Sequence, residues 1–188
     1  MTDYSAIILA GGKSSRMGQK KSTLLLEGRT FIDILIDKLK RIGIEEILIS
    51  GFEYENEKCI FVEDIYKDKG PLAGIHAGLD RMSRESALVL TEDAPLIPED
   101  FFQELISEHK KNESSITVAR SDDRIQPLLG IYDKTLVTKC EEILQGERAT
   151  VMSLIEKETC ATVQFTGEEL LIRGCNTPEE YRRLGVLK

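Results

Sequence analysis

Apolar residues along this chain switch repeatedly between two spacings, and that switching limits the possible folds more than any other feature. Ala6 to Ala10 is a continuous apolar run ending at Gly11-Gly12, as expected of a strand buried on both faces. Phe31, Ile32, Leu35, Ile36, Leu39 and Ile42 then recur at helical spacing and stop at Gly43. Strands follow at Ile47–Ile49 and Ile60–Val62, and Pro71 can open a helix carrying Ile75, Leu79 and Met82. Ala87–Leu90 reads as another buried strand, and Pro98-Glu-Asp100 leads into a helix over Phe101–Ile106. The pattern continues with strands at Ile116–Val118 and Leu128–Tyr132 and helices near 134–145 and 150–157. Strands near 161–165 and 169–173 and a short helix after Thr177-Pro178 complete it. Such alternation implies an α/β fold, with a mainly parallel sheet and helices on both faces. No Pro/Gly/Ser linker, repeat or low-complexity stretch divides the chain, so one domain over residues 1–188 is expected. In such sheets ligands bind beyond the carboxyl ends of the strands, so the loops leaving strands are the places to search for chemistry.

Composition narrows the search. The 188 residues carry a net charge of −8, which argues against a nucleic-acid coat or adsorption to anionic membrane. No apolar run approaches the roughly 18 residues of a membrane helix. The run at Ala6–Ala10 follows Asp3 without a basic segment, so neither a signal peptide nor a membrane location is expected, and the chain reads as cytoplasmic. Cys59, Cys140, Cys160 and Cys175 include no C-x-x-C pair and read as reduced thiols. His76 and His109 have no ligand spacing, so neither a zinc site nor a Cys/His nucleophile pair is expected.

The segment after the first strand, Leu9-Ala-Gly-Gly-Lys-Ser-Ser-Arg-Met-Gly-Gln-Lys-Lys21, is the strongest local signal. Paired glycines let the backbone turn sharply and bring amide N–H groups close to a ligand. Residues 11–21 hold Lys13, Arg16, Lys20 and Lys21 and no acid, a local charge of +4 in an acidic chain. Arginine presents a planar fork to phosphate oxygens and lysine a compact mobile charge. A polyphosphate at the mouth of the sheet suits these features; a solvated basic loop is the plainer alternative. Gly12-Lys13-Ser14 ends like a P-loop, but Ile7 stands where the first glycine belongs, and adjacent Gly11 and Gly12 break the dinucleotide fingerprint.

The pattern L-A-G-G-x-S-x-R-M-G with a following lysine resembles the signature of molybdenum cofactor guanylyltransferases, the MobA family of the nucleotidyltransferase superfamily. The resemblance runs on through Gly70-Pro-Leu-Ala-Gly-Ile75, Asp93-x-Pro95, Gln126-Pro-Leu128, Gly146-Glu-Arg148 and Asn176-Thr-Pro178-Glu179, in the family's order. It implies a three-layer αβα Rossmann-like nucleotidyltransferase fold with a mainly parallel mixed sheet. It also implies transfer of GMP from GTP to the terminal phosphate of molybdenum-molybdopterin, with Mg²⁺ as cofactor and pyrophosphate as the second product. Proteins that supply or receive the cofactor would be further partners.

By that resemblance Leu9, Ala10, Gly11 and Gly12 line GTP, Arg16 contacts phosphate and Lys21 neutralises charge at the α-phosphate. Asp64 falls on the guanine or ribose side, and Asp93 matches the metal aspartate that also meets the nucleotide. Gln126, Arg148 and Asn176 fall on the acceptor side. The residues themselves are compatible with plainer roles. Asp64 could be a surface carboxylate, Asp93 a turn or cap, and Arg148 a surface arginine lying along its own stem. Asn176 reads as the cap of the last helix. Four positions depart from the family pattern. Lys20 replaces a frequent acid, Glu92 a frequent cysteine and Gly174 a frequent asparagine, and Ser50-Gly51 lacks the asparagine often found after that strand. The alternatives are a related nucleotidyltransferase using CTP or another phosphorylated acceptor, and a non-catalytic nucleotide-binding regulator.

Overall fold

The computed structural model describes residues 3–11, 24–54 and 56–185. Its strands are β1 (Tyr4–Leu9), β2 (Leu25–Leu26), β3 (Arg29–Thr30), β4 (Ile47–Ser50), β5 (Ile60–Val62), β6 (Ser86–Thr91), β7 (Ile116–Ser121), β8 (Arg124–Asp133) and β9 (Cys160–Gln164). Its helices are α1 (Phe31–Arg41), α2 (Pro71–Arg81), α3 (Glu99–Lys111), α4 (Val137–Gln145), α5 (Val151–Ile155), α6 (Leu170–Arg173) and α7 (Pro178–Leu184). Seven strands form one sheet in the order β5-β4-β1-β6-β8-β7-β9, and β2 and β3 make a small separate hairpin. Only β8 runs antiparallel to its neighbours in the large sheet; the β1–β4, β1–β6, β4–β5 and β7–β9 ladders are parallel.

Strand β1 explains the layering. All six of its residues are buried, and successive side chains point to opposite faces. Tyr4, Ala6 and Ile8 join Leu35, Ile36, Phe102 and Leu105 on the side of α1 and α3. Ile7 and Leu9 join Leu72, Ile75, Cys140 and Leu144 on the side of α2 and α4. A continuous apolar strand therefore serves two cores, giving the three-layer αβα architecture expected from the alternation. The chain moves outward from β1 through β4 to β5 and then crosses back to β6 on the other side of β1. That reversal of direction opens a crevice at the carboxyl ends of β1 and β6.

Three local readings need correction. The stretch 169–173, expected as a strand, holds the helix Leu170–Arg173, with the Leu171, Ile172 and Arg173 N–H groups donating back to Glu168 and Glu169 carbonyls. A short apolar run has no periodicity long enough to separate strand from helix. Gln126 and Pro127 lie inside β8 rather than in a loop before it. The cap of α7 is Thr177, whose hydroxyl accepts from the Glu180 N–H in a complete capping box. Asn176 instead donates its backbone N–H to the Glu180 carboxylate at 2.7 Å, and this bond is the main reason that carboxyl sits below its usual range.

Candidate active site

The carboxyl ends of β1, β4 and β6 border a cavity of about 500 Å³. Backbone bonds hold these three ends together: Ala10 N–H donates to Ser50 O at 2.8 Å, and Glu92 N–H to Leu9 O at 3.1 Å. Leu9, Ala10 and Gly11 therefore line the cavity as part of a rigid sheet edge. Gly12, Arg16 and Lys21, the other residues expected of this loop, lie outside the described residues.

Ser50 and Asp64 form one wall. The buried Ser50 hydroxyl donates to Asp64 Oδ1 at 2.6 Å, which turns that carboxylate along the cavity edge. Gly74 leaves the room for this pair, since a Cβ there would lie 2.5 Å from Ser50 Oγ and 2.8 Å from Leu9 Cδ2. Close approach of α2 to the sheet also brings its first turn, Gly70 and Pro71, to the cavity. A helix N-terminus favours anions through its unpaired N–H groups and dipole.

Asp93 lines the crevice just beyond β6. Thr91 Oγ1 donates to its Oδ1 at 2.6 Å, and Cys175 N–H donates to its carbonyl at 3.0 Å. Gly174 has φ +76 and lies against the Asp93 carboxylate, so the site is closed there by backbone rather than by an asparagine side chain. Glu92, the other departure beside it, is 8% exposed and also lines the cavity. Behind this loop Lys38 Nζ donates to Ile97 O at 2.8 Å, and burial lowers the pKa of that amine to about 8.

The described lining contains four acids, Asp64, Asp68, Glu92 and Asp93, and no basic residue. A polyanion could enter only with cations, whether basic side chains or a bound metal. Among the described residues no group of three or more His, Cys, Asp or Glu converges as a metal cage. A single carboxylate at a strand end still fits Mg²⁺, which takes one or two protein carboxylates and fills the rest of its shell with water and phosphate. All four cysteines are free thiols, and no helix among the described residues is long and apolar enough to cross a membrane.

Of the residues expected on the acceptor side, none lines the cavity among the described residues. Gln126 pairs with Ala119 inside the sheet, Arg148 is exposed between α4 and α5, and Asn176 is occupied with the start of α7. Leu128 reaches the cavity in place of Gln126. The sequence reading missed Ser50, Thr91 and Leu128: Ser50 meets Asp64 fourteen residues away, Thr91 bonds to Asp93 only two residues on, and Leu128 reaches the cavity from β8. Pro127 was the available clue to Leu128, because proline inside a strand marks a bulge or an edge.

A family model described as "MobA-like NTP transferase domain" matches residues 6–162. The chain belongs to this family. It is 34% identical over 188 residues to a Flavobacterium johnsoniae protein named "Probable molybdenum cofactor guanylyltransferase", covering 99% of this chain and 98% of that one. A Bacillus cereus protein of the same name is 31% identical over 193 residues, with 96% and 95% covered. Among solved structures, molybdopterin-guanine dinucleotide biosynthesis protein A from Archaeoglobus fulgidus superposes with a TM-score of 0.81 at 21% identity, covering 97% of each chain. A 4-diphosphocytidyl-2C-methyl-D-erythritol synthase from Anaerococcus prevotii has a TM-score of 0.74 at 21% identity, covering 98% of this chain and 95% of that one. These two share the fold. As a MobA-like NTP transferase, the chain is a nucleotidyltransferase with a mixed, mostly parallel seven-stranded sheet.

Proposed function

We propose that this MobA-like transferase moves GMP from GTP to the terminal phosphate of molybdenum-molybdopterin, releasing pyrophosphate and giving the guanine dinucleotide form of the cofactor in the cytoplasm. The observation that supports this most is that Asp93 and the first glycine of the basic loop border one cavity at the crevice of the sheet. The names of the relatives that match over nearly the full length supply the substrates of the reading.

The attacking phosphate oxygen is already an anion at neutral pH, so the reaction requires no general base. Asp93, held by Thr91, is the residue that would hold Mg²⁺, which when bound supplies charge neutralisation to the phosphates. Arg16 and Lys21 would add positive charge at the α-phosphate. Asp64, turned by Ser50, would accept from donor groups of the nucleoside. The remaining work is positioning of two anions for in-line displacement.

Pyrophosphate release measured separately with GTP, CTP and UTP, each with purified molybdopterin and Mg²⁺, tests the reading. Turnover dependent on GTP and molybdopterin is expected. Turnover with CTP in preference to GTP, or GTP binding with no product, would overturn it.

A further inference from the structure

The loop that carries Asp64 runs from Glu63 to Gly70, between β5 and α2, and brings a second acid, Asp68, to the cavity. Along this loop only Asp64 and Tyr66 are partly covered; every other residue is exposed. Asp64 is anchored by the Ser50 hydroxyl. Asp68 has φ +59, a left-handed backbone that persists where its surroundings hold it. The Glu63–Lys67 ion pair spans the loop, but both side chains are open to water, where such a pair contributes little. Tyr66, midway between the two cavity acids, packs instead on the core under α2 and α4.

The support beneath it is polar. The Tyr66 ring meets His76 of α2 in an edge-on contact, with centroids 5.3 Å apart and planes at 77°. Gln145 of α4 donates its amide to the Tyr66 hydroxyl at 3.4 Å. His76 is 1% exposed, and its Nε2 faces Glu141 Oε1 of α4 at 3.3 Å. An ionised carboxylate only accepts, so the neutral imidazole carries its proton on Nε2. Nδ1 is then a buried lone pair without a hydrogen-bond partner among the described residues. Leaving a buried polar atom unpaired is costly, and an apolar side chain would fill the space without that cost. Packing alone therefore does not account for a histidine at this place. What the imidazole adds is orientation: its bond to Glu141 fixes the plane of the ring on which Tyr66 rests.

We propose that Tyr66 is a positioning residue for the nucleotide, holding the loop so that Asp64 and Asp68 stay at the cavity edge, and that His76, oriented by Glu141, is its seat. Tyr66, His76 and Glu141 all lie outside the cavity lining. The inference rests on the functional reading and adds to it a support, remote from the reacting groups, that acts on GTP. Tyr66→Ala should raise KM for GTP roughly two- to tenfold, the scale of one aromatic pair. Its kcat and its KM for molybdopterin should stay near the wild-type values. Tyr66→Phe keeps the ring contact and should restore the KM for GTP. Glu141→Ala, a substitution on the outer side of α4, should raise that KM about threefold, as for loss of one hydrogen bond, and Glu141→Gln should restore it.

The test combines steady-state kinetics with GTP titrations, and thermal unfolding is recorded for each variant. Limited digestion with trypsin reads the loop without reference to activity, because Lys67 and Lys69 lie within it. Cleavage at these lysines should be faster in Tyr66→Ala than in wild type or Tyr66→Phe, and GTP should slow it in wild type. In a background of Asp64→Asn with Asp68→Asn, Tyr66→Ala should alter GTP affinity less than about twofold, because changes that act through one target are not additive. Should Tyr66→Ala fail to fold, the Glu141→Ala and Glu141→Gln pair decides. Unchanged GTP affinity in Tyr66→Ala, or an equal loss in both backgrounds, would overturn the inference and leave the functional reading standing. Wild-type protein that binds GTP without turning over molybdopterin would overturn the functional reading, and the GTP affinities of the variants would still decide the role of Tyr66.

Discussion

Replacing Gly174 with alanine probes the closest backbone approach to Asp93. Gly174 has φ +76 and ψ 166, a region essentially confined to glycine. Forcing a side chain into that conformation costs about 1–3 kcal/mol. The added Cβ would also lie 2.6 Å from Asp93 Cγ and 2.9 Å from Asp93 O. Ordinary carbon contact begins near 3.5 Å, so the carboxylate must withdraw by about 1 Å. At 188 residues each kcal/mol lowers Tm by roughly 2–4 °C, so a fall of about 2–12 °C is expected. Displacement on the scale of 1 Å can cost on the order of a hundredfold in rate. Turnover should therefore fall further than stability accounts for at a temperature where the variant remains folded. Thermal unfolding by circular dichroism and pyrophosphate release at 25 °C measure the two effects. Gly174→Asn, which inserts the residue type implied by the family resemblance, should be at least as damaging. A Gly174→Asn protein with wild-type Tm and turnover would refute the argument from close approach.

Three further outcomes follow from the site. Asp93→Ala should keep the far-ultraviolet spectrum and abolish pyrophosphate release; wild-type-like turnover would remove Asp93 from the proposed metal position. Ser50→Ala releases Asp64 from its 2.6 Å bond and should raise KM for GTP several-fold with a smaller change in kcat, about what one hydrogen bond to a charged group contributes. An unchanged KM would show that Asp64 is held without it. Lys38 has its pKa lowered by burial to about 8 from an ordinary 10.5, so between those values the unfolded chain binds more protons. Its contribution to stability should rise with pH over that window. In urea titrations from pH 7.5 to 10.5, the stability of wild type minus that of Lys38→Met should increase with pH; a flat difference would refute the assignment.

Much of the fold was legible because its signals are local. The apolar run at Ala6–Ala10, the helical spacing from Phe31 to Leu39 and the proline at the start of α2 each report their own backbone. The family resemblance was legible for the same reason, since each of its motifs is a short contiguous run of residues. Leu9-Ala10-Gly11, Asp64 and Asp93 could thus be named from the chain and are brought to one cavity. Local signals failed where two readings share one pattern. Leu170–Arg173 is apolar enough for a strand, and Asn176 and Thr177 are both suitable caps.

The sequence by itself determined an α/β chain with a basic, glycine-rich first loop and an acid at the end of the strand that becomes β6. Tertiary structure alone decided how the site is built around that acid. Ser50 meets Asp64 across fourteen residues, Cys175 bonds to Asp93, and the Gln126-Pro127-Leu128 motif sends Leu128 rather than Gln126 to the cavity. Each depends on which strands become neighbours, and strand order arises from burying every apolar face at once rather than from any single segment.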